Sequence, residues 1–392
     1  MNTLTVTTLA ILIGATAFAI DASIPAIPQT ASALGSEVGL VQLTIGLYML
    51  GYGLAQIPVG ILADQFGRRP VVLAGMTLFV VSGLMAALST SIEMLLISRF
   101  FQGLFGATGA VITRAIVRDL TSGAETGRLM SLLTTTLGGV MVIAPLLGAL
   151  GLTFFGWRAP FLASSIFAAI GLVLMFFVIP ETLSRRPLGR LRDRFFDGVN
   201  GFRKSPQSLL GAGLVGFSFC GLISIVTLSS EVFIVTYGFS AVAYAFVYAG
   251  VSMGYAAGGV LARHFLKTRS VLDLSRITAM FFALIGLGFL ASILTPWGGY
   301  ILLTALSVLF FAGVSAMLAL GTTMALEPLP KTAGMAAALL GTYQLTLGAL
   351  VASLISSLGF ESLYVLQIVL MALGFLIFGL SRLAKKAGYA PS

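Results

Sequence analysis

The sequence predicts an all-α membrane protein with about twelve transmembrane helices in two six-helix halves. Of its 392 residues, 58% are hydrophobic and 9% are charged, whereas about a quarter of the residues of a typical soluble domain are charged. Apolar runs of about twenty residues, the length of a membrane-spanning helix, recur from one end of the chain to the other. The longest polar stretch, residues 181–207, lies midway. The apolar runs therefore leave no stretch of the chain long enough for a soluble domain of ordinary size.

The apolar runs give the predicted helices in order. The first run, residues 4–27, has no basic flank and is followed by many further runs, so we expect a retained helix and not a cleaved signal peptide. Hydropathy places the helix centres near Ala17, Gly51, Val81, Gly106, Val140, Gly171, Cys220, Met253, Leu284, Leu309, Leu345 and Leu373.

The central polar stretch divides the chain into an N-terminal half of residues 1–182, a cytoplasmic linker of residues 183–207 and a C-terminal half of residues 208–392. A weak internal repeat supports this division. Residues 60–68, GILADQFGR, align with residues 259–267, GVLARHFLK, at a glycine, a leucine, an alanine and a phenylalanine. The two segments lie half a chain apart, as parallel repeats about a pseudo-two-fold axis along the membrane normal predict.

Basic residues concentrate on one side of the predicted spans, while the opposite loops hold Glu37, Glu93 and Glu361 with Arg158 as their one base. The positive-inside rule makes the basic side cytoplasmic, and an even number of spans puts both termini there. We expect a multi-pass protein of the inner (cytoplasmic) membrane. The basic residues on this side are Arg68, Arg69, Arg114, Arg118, Arg128, the cluster at 185–204, Arg263, Lys267, Arg269, Arg276, Lys331, Arg382, Lys385 and Lys386.

This placement also explains the net charge of +9 without nucleic acid as a partner. We expect the basic linker to be anchored at anionic lipid, with docking of a regulator as the alternative. The single cysteine, Cys220, excludes an intramolecular disulfide and argues against a thiolate metal site. No histidine–aspartate cluster and no paired nucleophile and base occur in the predicted spans, so we expect neither an enzyme nor a cofactor.

The turn after the second span is the most specific motif. Residues 60–70 read GILADQFGRRP and place a carboxylate, two guanidinium groups and two glycines between two apolar runs. This charged turn resembles the loop signature of the major facilitator superfamily of transporters, G-x-L-a-D-r-x-G-r-[RK], which occurs after the second span of that family. The resemblance implies the twelve-helix fold of that superfamily.

The resemblance also implies that the charged turn acts as a cytoplasmic gate. If the turn served only to set the orientation of the protein in the membrane, basic residues would suffice. That role explains neither the aspartate nor the glycines. We expect Asp119, at the cytoplasmic end of the fourth span, to pair with the arginines of the turn. The predicted gating residues are Gly60, Asp64, Gly67, Arg68, Arg69 and Asp119.

Three charged residues lie inside predicted spans, where a charge costs at least about 3 kcal/mol: Asp21, Arg99 and Glu231. Each lies roughly 8–12 Å from the outer end of its helix at about 1.5 Å per residue. In the resembling superfamily the first, fourth and seventh helices line the central cavity. We expect Asp21 and Arg99 to meet there, so that the arginine keeps the carboxylate ionised until it is displaced, which would make Asp21 a proton switch.

Structural roles are the alternatives for these three residues. Asp21 would cap the first helix where prolines interrupt it, and Arg99 would form an ion pair that packs helices together. Glu231 would lie in water at the membrane interface.

The segments around Asp21 and Arg99 resemble a narrower group. Residues 18–28, FAIDASIPAIP, and residues 99–103, RFFQG, are similar to the first-span and fourth-span signatures of twelve-span drug:proton antiporters, in the branch named for bicyclomycin and chloramphenicol resistance. Residues 180–182, PET, are similar to the segment after its sixth span. The resemblance implies proton coupling through Asp21 and Arg99. The expected substrate-cavity residues are Asp21, Tyr48, Arg99, Gln102, Glu231, Tyr237 and Gln344.

The fifth span departs from the antiporter pattern. That family carries G-P-x-x-G-G in this helix, and here residues 144–149 read APLLGA after a glycine pair at 138–139. A proline frees a backbone carbonyl and bends a helix, and small neighbours allow close packing. We expect a helix kink at Gly139, Pro145 and Gly148, with an ordinary bent helix as the alternative.

Together these features predict a proton-coupled exporter of small lipophilic or amphipathic compounds, a multidrug efflux protein that works as a monomer in the lipid bilayer. Its energy source would be the proton gradient. A dedicated exporter of a metabolite, such as a siderophore or an amino acid, is the alternative on the same fold. A membrane receptor or scaffold that transports nothing is a third interpretation.

Overall fold

The computed structural model describes residues 1–183, 191–295, 299–358 and 361–383, and the regular structure of these residues is helical. The α-helices are α1 (Thr3–Asp21), α2 (Ile27–Leu34), α3 (Val38–Phe66), α4 (Arg68–Ala87), α5 (Ile92–Leu120), α6 (Gly123–Phe155), α7 (Ala159–Val178), α8 (Leu191–Lys204), α9 (Pro206–Ser230), α10 (Ala241–Phe265), α11 (Val271–Leu294), α12 (Gly299–Leu326), α13 (Ala333–Ser356) and α14 (Ser362–Leu383).

Twelve helical segments within the described ranges are long and apolar enough to cross a membrane. The first span joins α1 and α2, and the seventh joins α9 to a π-helix, Glu231–Thr236. Each predicted helix centre falls in a different one of the twelve spans. The prediction of an all-α membrane fold with about twelve spans is therefore confirmed. The remaining helix, α8, lies in the predicted linker.

Several helices begin at a residue whose side chain accepts a hydrogen bond from the first turn. The Asn2 side chain accepts a hydrogen bond of 2.8 Å from the backbone N–H of Thr5 and caps α1. Ser91, Ser205 and Ser270 cap α5, α9 and α11 in the same way. Each cap satisfies a backbone donor that the first turn of a helix leaves without an intrahelical acceptor.

The first span is interrupted near its C-terminal end. After α1 ends at Asp21, a 3₁₀ turn covers Ile24–Ala26 before α2 begins with Pro28 in its first turn. Proline lacks a backbone N–H and is tolerated where a helix starts. The interruption leaves Asp21 at the end of a helix inside the first span.

The chain divides into two compact units, the first formed by Met1–Leu188 with Phe239–Ala249 and the second by Gly189–Gly238 with Gly250–Ser392. The start of α10 therefore belongs to the first unit, where Ala241 packs against a buried cluster that includes Trp157 and Phe161. The halves proposed from sequence, with limits at 182 and 208, stay a prediction. Residues 184–190 of the predicted linker, and Lys385 and Lys386, lie outside the described residues.

Helix packing inside the two units follows the same pattern. In the first unit α1 packs against α5, α6 and α7, and α4 packs against α5 and α7. In the second unit α9 packs against α12, α13 and α14, and α11 packs against α12 and α14. Each pairing recurs six spans later, which is the architecture of an internal repeat.

Small residues allow the closest of these approaches. A Cβ atom at Gly103 of α5 would overlap the backbone carbonyl of Tyr48 in α3, and a Cβ atom at Gly258 of α10 would overlap that of Ala312 in α12. Helices in membranes associate through such small-residue contacts because lipid supplies no hydrophobic driving force between them. The contact at Gly103 places Tyr48 beside the fourth span.

Candidate functional site

The charged turn is a one-residue break between two long helices. α3 ends at Phe66 and α4 begins at Arg68, so Gly67 alone joins them, at φ +102°. Residues with a side chain rarely adopt this conformation. A Cβ atom at Gly67 would also overlap the carboxylate of Glu181. Both the backbone angle and the crowding require glycine here.

Arg68 joins two carboxylates from different helices. Its Nη1 donates to Asp64 Oδ1 at 2.6 Å, and its Nε donates to Asp119 Oδ2 at 3.0 Å. The Arg68 side chain is 10% exposed, and those of the two aspartates are 24% and 23% exposed. Thr182 adds a hydroxyl donor to the same Asp119 oxygen at 3.3 Å. The predicted contact between Asp119 and the turn is thus formed, while its gating role stays a prediction.

Glu181 holds the start of α4. Its two carboxylate oxygens accept the backbone N–H groups of Arg68 and Arg69 at 2.9 and 3.0 Å. One of these oxygens also accepts the backbone N–H groups of Thr182 and Leu183, each at 2.9 Å. Partial burial raises the pKa of Glu181, but the four N–H donors together lower it by more, so the pKa lies below its ordinary value. Glu181 is not among the gating residues predicted from the sequence.

Two other predicted gating residues make different contacts. Arg69 donates from Nη2 to the backbone oxygen of Phe176 at 2.7 Å, and its guanidinium carbon lies 5.3 Å from the centre of the Phe176 ring. A Cβ atom at Gly60 would come no nearer than 4.0 Å to Val111. Arg69 therefore fastens the turn to the end of α7, and of these two arginines it is Arg68 that bridges the aspartates.

A second cluster, deep in the first unit, surrounds Arg99. The side chains of Arg99, Gln102 and Tyr48 are completely buried. Arg99 Nη1 donates to the backbone oxygen of Ala19 at 3.0 Å and to Gln102 Oε1 at 2.7 Å. The guanidinium carbon lies 4.6 Å from the centre of the Tyr48 ring, within cation–π distance. The predicted residues Tyr48, Arg99 and Gln102 are therefore brought together.

Asp21 lies in the same unit but has another partner. Its carboxylate, on a residue that is 5% exposed, accepts a hydrogen bond of 3.4 Å from the hydroxyl of Tyr248. Tyr248 is on the part of α10 that belongs to the first unit. The expected ion pair between Asp21 and Arg99 is not formed, because the arginine is directed to the backbone of Ala19 and to Gln102.

Three buried donors in this cluster lack an acceptor among the described residues. They are Nε and Nη2 of Arg99 and Nε2 of Gln102. A buried donor without an acceptor costs about 1–3 kcal/mol. The arrangement therefore offers binding energy to any molecule that brings an acceptor, such as water or a polar group of a cargo.

The predicted kink region packs against the residue after Asp21. Pro145 lies inside the continuous helix α6. A Cβ atom at Gly148 would overlap the backbone carbonyl of Ala22, whereas a Cβ atom at Gly139 would meet nothing within 4 Å. Of the two glycines, only Gly148 is required by packing, and the contact ties α6 to the end of α1.

The other predicted cavity residues belong to the second unit. Glu231 begins the π-helix and accepts a hydrogen bond of 2.6 Å from the hydroxyl of Ser362. Tyr237 follows the π-helix, and the centre of its ring lies 6.0 Å from the ring centres of both Phe233 and Tyr300. Gln344 is half-buried on α13. π-Helices occur often at functional sites, and the roles of these three residues stay predictions.

Comparison with known proteins identifies the family. A family model described as Major Facilitator Superfamily matches residues 9–353. The chain belongs to the major facilitator superfamily. This confirms the family that the charged turn indicated, and it makes the chain a multi-pass membrane transporter.

Individual members of the major facilitator superfamily resemble this chain along most of their length. A bicyclomycin resistance protein homolog of Haemophilus influenzae is 30% identical over 369 residues, which are 91% of this chain and 89% of that protein. Multidrug resistance protein D of Escherichia coli (strain K12) is 30% identical over 335 residues, 82% of this chain and 80% of that protein.

A solved structure shows the same major facilitator fold. The crystal structure of a D-xylose-proton symporter matches with a TM-score of 0.76 and covers 95% of this chain and 97% of that chain, at 16% identity. At this identity the likeness concerns the fold alone. The charged turn and the Arg99 cluster both lie in the first compact unit of this fold.

Proposed function

We propose that the chain exports small lipophilic or amphipathic compounds in exchange for protons, by alternating access. Two relatives that span most of this chain are named for resistance to bicyclomycin and to multiple drugs, which supports export of such compounds. The energy source is the proton gradient, and no cofactor takes part.

The observation that carries proton coupling is the burial of Asp21. Asp21 is 5% exposed inside the first span, and the described partner of its carboxyl group is the neutral hydroxyl of Tyr248. An ionised carboxylate in such surroundings is costly, since a hydroxyl donor offsets only part of its lost hydration. A proton removes that cost, and so the site favours proton uptake.

The transport cycle follows from competition between proton and cargo. A proton from outside neutralises Asp21, the two halves move against each other, and the charged turn opens as Arg68 leaves its aspartates. Cargo from the cytoplasm binds near Arg99 and Gln102 and displaces the proton, after which the movement reverses. Coupling requires that the proton and the cargo favour different conformations of one shared site.

The proposed transporter has two halves and works as a single chain in the membrane. The halves are residues 1–182 and 208–392, joined by the linker 183–207, and both termini face the cytoplasm. The protein works as a monomer in the inner membrane. Glu231, Tyr237 and Gln344 contribute the cargo contacts of the second half.

Flux through purified protein tests this function. Proteoliposomes with an acidic exterior and a panel of lipophilic drugs would report drug movement and proton movement together. Asp21→Asn is expected to abolish proton-coupled export while the protein still folds. Glu93→Gln is the matched control, since it neutralises an exposed acid in the first turn of α5. Full export by Asp21→Asn with an unchanged pH dependence would remove Asp21 from the mechanism.

Export of a dedicated polar metabolite is the second candidate. The donors of Arg99 and Gln102 that find no acceptor among the described residues favour a cargo with carbonyl or carboxylate groups. A drug-resistance panel set beside metabolite analysis of spent medium separates the two candidates. Drug resistance without a change in the metabolites of the medium supports multidrug export. A changed metabolite in the medium without drug resistance supports the metabolite exporter.

A further inference from the structure

The helix α8, which precedes the seventh span, belongs to the second unit and packs closely against its neighbours there. A Cβ atom at Gly198 would lie 2.8 Å from Met335 Cγ, and one at Gly201 would lie 2.9 Å from Leu329 Cδ2. These distances are shorter than ordinary carbon–carbon contacts of about 3.5–4.0 Å. The two glycines, one helical turn apart, therefore let α8 lie directly against the start of α13 and the turn before it.

Beside this contact, α8, α9 and α13 line a partly open pocket of about 340 Å³. Its lining is largely apolar and includes Val199 and Phe202 from α8, Leu209 from α9, and Leu340 and Tyr343 from α13. The volume lies within the range of ligand pockets, about 300–1,000 Å³. An apolar chain fits such a lining.

One cation completes the lining. Arg203, in the last turn of α8, is exposed and forms no hydrogen bond or ion pair with the part of the chain that the structure describes. It lies three residues before Pro206, where the seventh span begins, whereas Leu209 and Leu340 lie within spans. The cavity therefore has its charge before the seventh span begins, and the part of its apolar lining that comes from α9 and α13 lies within spans.

We propose that this cavity binds an anionic phospholipid, with an acyl chain among the apolar side chains and the phosphate at Arg203. Charge complementarity selects an anionic headgroup, and the depth of the lining selects a lipid over a soluble anion. Basic residues accumulate on this side of the membrane, where anionic lipids attract them and where basic pockets between spans bind phosphate headgroups. The bound lipid holds the linker helix α8 against α9 and α13, a role that is independent of cargo and of proton coupling.

Native mass spectrometry of the purified full chain tests the proposal with three probes: phosphatidylglycerol, phosphatidylcholine of the same acyl chains, and free oleate. Phosphatidylglycerol is expected to bind best. Arg203→Gln should weaken its binding about fivefold, from a contribution of about 1 kcal/mol per basic residue near the surface. Lys204→Gln is the matched control, because it removes the same charge from the adjacent exposed residue, which does not line the cavity. It should change binding less than twofold.

A second variant tests the acyl-chain part. Ala212 also lines the cavity, and Ala212→Phe fills it while keeping Arg203, so loss of phosphatidylglycerol binding is expected. Equal loss in Arg203→Gln and Lys204→Gln would show unspecific attraction and overturn the proposal. So would equal binding of phosphatidylcholine, or tighter binding of oleate. If Ala212→Phe fails to fold, the comparison of Arg203→Gln with Lys204→Gln decides alone.

Discussion

The carboxylate of Glu181 accepts a hydrogen bond of 2.9 Å from the backbone N–H of Arg68, 113 positions earlier in the chain. This bond connects the segment after the sixth span to the first residue of the third. The side chain of Arg68 meanwhile pairs with Asp64 and Asp119. One residue thus has its backbone fixed by one carboxylate and its side chain held by two others. Movement of the third span relative to the second or the fourth must disturb this set.

Replacing Glu181, whose side chain caps the first turn of α4, should destabilise the N-terminus of that helix. In Glu181→Ala, two backbone N–H groups of α4 lose their acceptor, and a lost helix cap costs about 1 kcal/mol. We expect a lower thermal unfolding temperature in detergent. Glu37→Ala is the control, because Glu37 precedes α3 without a side-chain capping bond. Equal unfolding temperatures for Glu181→Ala and the parent protein would refute the capping role.

The contribution of Glu181 to stability should depend on pH. Its pKa in the folded protein lies below the ordinary value of 4.5, the net result of partial burial and the four N–H donors. A depressed pKa means that the stabilisation is complete above pH 4.5 and is lost as the pH falls through the folded value. The difference in unfolding temperature between the parent and Glu181→Gln should be constant from neutral pH to about pH 5.5 and shrink below pH 4.5. A difference that grows on acidification would contradict the assignment.

The charged turn shows which part of a site can be predicted from sequence. Asp64 and Arg68 belong to one motif, and Asp119 ends a span on the same membrane side, so hydropathy and charge placed all three at one level. Glu181 could not be found in this way. The carboxylate oxygens of Glu181 accept hydrogen bonds from backbone N–H groups. Every residue except proline has such a group, so the sequence does not indicate which ones Glu181 binds, and the contact spans 113 positions.

The Arg99 cluster shows the limit of arguments from depth. Counting residues along each span placed Asp21 and Arg99 at similar depths, but depth does not determine how a helix is rotated about its axis. Packing determines that rotation, and it directs Arg99 to the Ala19 backbone and the Tyr48 ring. Tyr248, the partner of Asp21, comes from a span 227 positions later. Tyr248 lies on an apolar helix, and nothing in the sequence indicates that its hydroxyl binds Asp21.

The two aspartates around Arg68 should act as one unit in gating. Asp64→Asn and Asp119→Asn each remove one acceptor of the same guanidinium, and each should slow transport turnover. Because the partner is shared, their combined effect should depart from additivity, with a coupling of about 0.5–3 kcal/mol in a double-mutant cycle. Turnover in proteoliposomes measures all four forms. Wild-type turnover in both single variants would show that the turn does not gate transport.

A matched control for this cycle comes from a weaker ion pair. Asp273 and Arg276 lie 3.8 Å apart on α11, with side chains 59% and 34% exposed. Exposed pairs of this kind contribute about 0–1 kcal/mol. Asp273→Asn combined with Asp64→Asn should therefore give additive effects on turnover. Equal non-additivity in both cycles would indicate a general response to lost charge.

The two glycines of the predicted kink should respond in opposite ways to alanine. In Gly148→Ala the new methyl group would overlap the Ala22 backbone, next to Asp21. Overpacking typically costs about 1–3 kcal/mol, and relief by movement of α6 would displace the end of α1, so we expect lower stability and slower proton-coupled export. Gly139→Ala meets open space and should be neutral or stabilising by up to about 1 kcal/mol, because alanine favours helix over glycine. Unfolding temperature and export rate are measured for both variants. If Gly139→Ala were the more damaging, flexibility at Gly139, and not packing at Gly148, would be the property that the fifth span needs.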